Sequence, residues 1–247
     1  RSGLRVSPLC LGALTFGEQW GLGTSKDDSK KVFDLYYEKG GNFIDTACIY
    51  NFGESERFLG DYVSDKRSEL VIATKYSCTN LELSILKRLN MSYVDILYVH
   101  AYEYRTPIEE FMRSLDDVVR SGKVLYVAVS DIPSWALSRA NTMAELRGWS
   151  PFIGLQTRYN LLDRSLEFDL QPACAELGIG ILPWSIVADG LTPEQMKRLD
   201  DASQPTGREV PFPHSMTDSF DGFIGKNMQV PNKFAPIATT YNYGRLY

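Results

Sequence analysis

Tyr93-Val-Asp-Ile-Leu-Tyr-Val-His100 is followed by Thr106-Pro-Ile-Glu109, then by Phe111, Met112, Leu115, Val118 and Val119, and after Gly122 by Val124-Leu-Tyr-Val-Ala-Val-Ser130. The first and last of these stretches are short, apolar and rich in β-branched and aromatic residues, which suits strands buried on both faces. Between them the apolar residues recur at intervals of three and four, the period of a helix and not of a strand. Thr106 and Glu109 have the spacing of a capping box with Pro107 at the first helical position, and Gly122 stops the helix. A strand, a helix and a second strand in this order make a parallel βα unit.

The same grammar extends in both directions. Strand-like runs are predicted at Pro8–Ala13, Asn42–Asp45, Leu70–Lys75, Ile153–Gln156 and Ile179–Trp184 as well, and helices at Ser29–Glu38, ending at Gly40-Gly41, and at Ser134–Leu146. The strand runs end in polar residues: Asp45, Lys75, His100, Ser130, Gln156 and Ser185. In a (β/α)8 TIM barrel the C-terminal strand ends form the active-site face, so polar groups gathered there read as catalytic or ligand-binding. A doubly wound sheet would share the parallel units, but no GxGxxG follows the first strand. The expectation is an α/β barrel, one domain over 1–247, with seven βα units in 1–187 and a C-terminal helix and tail in 191–247. The eighth unit is missing: too few residues separate Trp184 from the next capping box, Thr192-Pro-Glu-Gln195, for a crossover that takes at least about 10–12. The junction at Ser77–Leu81 reads as shortened too; there and at Val187–Leu191 the segment is either naturally absent or belongs to a longer chain seen incompletely.

Composition excludes several classes. The 26 basic and 31 acidic residues leave a net charge of −5 with no basic stripe, so no nucleic-acid partner is expected. Cys10, Cys48, Cys78 and Cys174 lie far apart without CxxC spacing, which favours neither a zinc site nor a redox pair. No apolar run reaches the roughly 18 residues that span a bilayer, and Arg1 opens no signal-like stretch, so no membrane partner and a cytoplasmic location are expected. A metal-dependent barrel hydrolase would want several histidine and carboxylate ligands, and the chain has two histidines; no metal is expected.

Asp45, Tyr50, Lys75 and His100 sit at or just beyond the ends of neighbouring strands, which would bring them to one mouth. Taken singly each has a structural explanation: a helix cap, a half-buried aromatic, a snorkelling lysine, a satisfied core histidine. Together they match one chemistry. Reduction of a carbonyl needs an acid to protonate the developing alkoxide, and a free tyrosine, with a pKa near ~10, is a reluctant one. A Lys75 ammonium beside Tyr50 would lower that pKa, Asp45 would hold the lysine, and His100 would orient the carbonyl oxygen or relay the proton. Trp20 and Tyr102 follow strand ends and are candidates to line a substrate pocket. His214, in a Pro-rich tail, has no role.

The runs Arg1–Gly17, Asn42–Glu56, Ile72–Lys75, Leu86–His100, Gly122–Ser130, Gln156–Asn160 and Gly178–Ser185 resemble the aldo-keto reductases, and within them the aryl-alcohol-dehydrogenase-like branch, which is also similar to potassium-channel β-subunits. The resemblance covers Arg1–Ser185 and the helix Thr192–Ala202. It implies NADP(H) as cofactor and a small-molecule aldehyde or ketone as substrate. It also implies that Ala13 and Leu14, in the loop after the first strand, approach the nicotinamide ribose and that Asp45 touches the cofactor. Ser130 and Gln156 match the pair that bonds the carboxamide, and Trp184 and Ser185 the segment on which the nicotinamide rests. The family carries Asn after Ser130, where this chain has Asp131, a side chain that cannot donate to the carboxamide oxygen unless protonated. A non-catalytic nicotinamide-binding regulatory subunit is the alternative that the resemblance permits; NADPH turnover with an aromatic aldehyde separates the two.

Overall fold

The computed structural model describes residues 2–77 and 84–186. Among them the elements run β1 (Leu11–Gly12), α1 (Lys26–Glu38), β2 (Phe43–Asp45), α2 (Glu54–Tyr62), β3 (Val71–Tyr76), α3 (Ile85–Arg88), β4 (Val94–Val99), α4 (Ile108–Arg120), β5 (Val124–Ser130), α5 (Ser134–Arg147), β6 (Phe152–Arg158), α6 (Leu170–Leu177) and β7 (Gly180–Trp184). The strands are hydrogen-bonded in the order β1-β2-β3-β4-β5-β6-β7, and the pairs from β1 to β5 are parallel. A doubly wound sheet reverses its order at a switch point, whereas addition of each strand beside its predecessor is the order of a (β/α) barrel. The fold is α/β of the barrel class. Packing groups the chain into two compact units, divided between Leu155 and Gln156.

In the first unit, Ile44, Ile72, Ala73, Val127, Ala128 and Val129 of the strands are fully buried, as are Phe33, Leu59, Met112 and Leu137 of the helices. These are the positions that the periodicity selects: Met112 and Leu115 share the buried face of α4, and β3 and β4 are almost wholly enclosed, as expected of strands covered on both sides. In the second unit Cys174 of α6 is buried, and α6 stops at Gly178 in the left-handed conformation.

Three sequence expectations need correction. The helix expected from Ser29 begins at Lys26, because the Ser25 side chain accepts from the Asp28 N–H at 3.2 Å and Asp27 and Asp28 fill the first turn. Ser29 is buried inside it, its hydroxyl 2.8 Å from that of Thr24. The capping box at Thr106 does not form: Pro107 is the N-cap, extended at ψ 137°, and the Thr106 N–H is taken by Glu103 Oε1 at 2.7 Å. The first strand shrinks from Pro8–Ala13 to Leu11–Gly12, since Ser7 Oγ donates to the Leu9 carbonyl at 2.8 Å and turns the chain there. The junction within Ser77–Leu81 from residue 78 onward, Val187–Leu191, the helix Thr192–Ala202 and the tail with His214 lie outside the described residues. No helix among the described residues is long and apolar enough to cross a membrane.

Candidate active site

Register puts the four candidates on one side of the sheet. Asp45 pairs with Ala73, and Lys75 with Tyr98. Paired residues point the same way and alternate residues share a face, so Asp45, Lys75 and Tyr98 project together. His100, two residues past Tyr98, continues the ladder by donating its N–H to the Tyr76 carbonyl at 2.9 Å. Beyond Asp45 the chain stays bonded to β3, with Thr46 N–H to Ala73 O at 2.9 Å and Cys48 N–H to Lys75 O at 3.1 Å. A turn closed by Tyr50 N–H to Ala47 O then carries the phenol back over Lys75.

Lys75 is fully buried, and its ammonium donates to Asp45 Oδ2 at 2.5 Å, to the Thr46 carbonyl at 2.9 Å and to the Tyr50 hydroxyl oxygen at 3.1 Å. These bonds use all of its hydrogens. Burial opposes the charge, but the Asp45 carboxylate and the Tyr50 oxygen outweigh it and hold the Lys75 pKa above the ordinary lysine value. Thr46, which supplies the third acceptor through its backbone, carries no side-chain signal that sequence reasoning could use.

Burial sets the net direction of the Tyr50 pKa, although Lys75 pulls it down as expected. Burial raises it most, Lys75 pulls it down, Asp45 and then Asp131 raise it again, and the result lies above the ordinary tyrosine value. The sequence shows the partner but not the depth of burial, and burial wins. Tyr50 is therefore protonated at neutral pH. Its ring meets that of His100 edge-on at 5.7 Å and that of Trp20 at 6.2 Å. Trp20 thus stands beside the phenol. Tyr102 instead packs edge-on against Tyr104, Phe111 and Trp135.

Burial, and then the Lys75 ammonium, push the His100 pKa down to about 4 from 6.5. The imidazole is neutral at pH 7, with one nitrogen a donor and the other an acceptor. An unfolded chain takes up this proton near pH 6.5, so the stability tied to His100 is complete above that pH, falls as pH drops and stops falling near pH 4. His100→Gln should flatten the urea midpoint between pH 7 and 5; a slope equal to that of the parent would show that another group sets it.

A sequence model of the Aldo/keto reductase family matches residues 8–245. The chain belongs to this family. An aryl-alcohol dehydrogenase from Pestalotiopsis microspora is 40% identical over 214 residues, 76% of this chain and 56% of the relative. The aryl-alcohol dehydrogenase [NADP(+)] of Phanerodontia chrysosporium is 38% identical over 219 residues, with 76% and 57% covered. Norsolorinic acid reductase B of Aspergillus parasiticus is 38% identical over 237 residues, with 84% and 62% covered. The chain spans less than two thirds of the length of these relatives. The 214-residue alignment engages only 76% of the 247 residues, so stretches of that relative inside the aligned span have no counterpart here.

The residues expected to hold the cofactor are a mixed set in the structure. In the first unit Ala13 is fully enclosed, its N–H given to Asp45 O at 2.8 Å and its carbonyl taken by Ser55 Oγ at 2.7 Å; Leu14 beside it is half exposed. Ser130 is buried at the end of β5, and Asp131 follows in the left-handed region at φ 45°, which asparagine and aspartate tolerate best among residues with a side chain. In the second unit Gln156 is buried in β6, Trp184 is 39% exposed with Arg158 over its ring, and the Ser185 carbonyl accepts from Asn160 Nδ2 at 3.1 Å. Within the group formed by Asp45, Tyr50, Lys75 and His100, the buried Asp45 Oδ1 and His100 Nδ1 have no hydrogen-bond partner among the described residues.

Proposed function

We propose that this protein reduces an aldehyde or ketone to the alcohol with NADPH, Tyr50 giving the proton. The observation that carries this reading is the Lys75 ammonium, buried and bonded at once to Asp45 and to the Tyr50 oxygen. Because the phenol oxygen accepts from Lys75, its own hydrogen is left to point at a substrate. When Tyr50 transfers that proton to the carbonyl oxygen, the phenolate left behind lies 3.1 Å from a fixed positive charge, so the charge is stabilised at the moment it forms. A neutral His100 offers an N–H to the same carbonyl oxygen without competing for the proton. Trp20 forms one wall.

The residues fit the cofactor. Buried polar atoms without partners mark places where a ligand's polar groups belong, and Asp45 Oδ1 is an acceptor suited to a ribose hydroxyl. Bound NADPH supplies the hydride that carbonyl reduction requires. In the first unit, Leu14, Asp45, Ser130 and Asp131 are the residues that would hold it. The name of the Phanerodontia relative supports NADP and an aryl alcohol–carbonyl pair. The test is consumption of NADPH and NADH with a panel of aromatic and aliphatic aldehydes and ketones. A protein that binds NADPH yet consumes none with any member of the panel would overturn the reading in favour of a regulatory subunit.

Asp131 yields a quantitative expectation. A carboxylate facing the carboxamide oxygen repels it, whereas asparagine donates to it and suits the left-handed backbone equally well. Asp131→Asn should tighten NADPH binding roughly 2- to 12-fold, the worth of one hydrogen bond. An unchanged or weaker Kd, measured by fluorescence titration, would place the Asp131 side chain away from the carboxamide.

A further inference from the structure

The segment after Tyr50 is built at odds with local preference. Asn51 (φ 45°, ψ 43°) and Phe52 (φ 54°, ψ 38°) are both left-handed, and Gly53 follows at φ 82°. Consecutive non-glycine residues in this region are disfavoured and persist where surrounding contacts determine them. The contacts here are those of the Asn51 side chain, which is fully buried. Its Nδ2 donates to the Leu14 carbonyl at 3.1 Å and to the Phe16 carbonyl at 3.3 Å, and its Oδ1 accepts the Trp20 N–H at 3.1 Å. Every partner lies in the loop after β1, more than thirty positions away in sequence. Gly17, at φ 117°, lets that loop approach, since a Cβ there would stand 2.8 Å from the Asn51 Cβ.

We infer that Asn51 is a positioning residue that fixes the Leu14–Trp20 loop against Tyr50, so that the wall of the carbonyl pocket is set by the residue bonded to the proton donor. The inference rests on the proposed reduction at Tyr50. One peptide bond joins Asn51 to Tyr50, and its amide reaches Leu14 on the expected cofactor side and Trp20 on the expected substrate side. Trp20 in turn meets Tyr50 and Phe52 edge-on, at 6.2 and 6.4 Å. Ser55 Oγ on Ala13 O and Glu54 Oε2 under the Glu18 N–H tie other points of the loop, but neither reaches Trp20.

Asn51→Gly keeps the left-handed backbone and removes only the amide. Asn51→Asp retains the packing volume and the acceptor for Trp20 but sets a carboxylate against the Leu14 and Phe16 carbonyls; it serves also should the glycine variant not fold. In the full protein, amide exchange across residues 14–20 should accelerate roughly tenfold in the cofactor-free state, and KM for an aromatic aldehyde should rise roughly tenfold while kcat stays within about threefold. A merely structural role would lower the melting temperature without separating KM from kcat. Unchanged exchange, or unchanged KM in folded variants of an active parent, overturns the inference alone. A parent without turnover overturns the proposed reduction and the inference with it.

Discussion

Tyr50→Phe should cut carbonyl turnover by roughly 10²–10⁴-fold, the range that general acid catalysis contributes, with the fold and the NADPH affinity preserved. The substitution removes one hydroxyl oxygen that accepts from Lys75 at 3.1 Å. The ammonium keeps Asp45 Oδ2 and the Thr46 carbonyl, so the stability cost is that of one hydrogen bond, about 0.5–1.5 kcal/mol. The ring retains its edge contacts with Trp20 and His100, and the pocket keeps its shape. Steady-state kinetics with a reactive aromatic aldehyde, alongside circular dichroism, check both halves. A variant keeping more than half of the parental kcat would remove Tyr50 from the mechanism, and a loss of structure would assign its hydroxyl a scaffolding role instead.

What the amino-acid sequence discloses here is what periodicity and strand ends can carry. All seven strands are legible because apolar, β-branched runs of strand length bounded by turns have few other uses. Asp45, Lys75 and His100 are legible because a charged or polar residue ending such a run must face a site or find a partner. The start of α1 is less so: Ser25 and Ser29 are both acceptable caps by type, and only the bond to the Asp28 N–H decides between them. Asn51 carries no periodic signal, since a side chain that bonds only backbone carbonyls and an N–H of a remote loop leaves no spacing to read. The nearest clue is asparagine and glycine flanking Phe52, residues that tolerate left-handed backbone. The direction of the Tyr50 pKa was likewise hidden, because it turns on burial outweighing Lys75, and burial is a property of the fold.

Removing the lysine should be the most destructive single change. In Lys75→Met the Asp45 carboxylate, its side chain 10% exposed, loses its countercharge inside the protein, a change that costs about 3–5 kcal/mol. For a chain of this size each kcal/mol corresponds to roughly 2–4 °C, so the melting temperature should fall by about 6–20 °C. Activity should fall as well, because Lys75 is the group that pulls the Tyr50 pKa down against burial. Without it the phenol holds its proton more tightly, and the alkaline limb of any residual reduction should move to higher pH. Stability and chemistry are separated by a second substitution. Asp45→Asn in the Lys75→Met background removes the stranded charge, so the double variant should melt above Lys75→Met alone while remaining inactive. Strict additivity of the two single changes in a double-mutant cycle would show that Asp45 and Lys75 act independently, and would break the link between the buried ion pair and the proton donor that it supports.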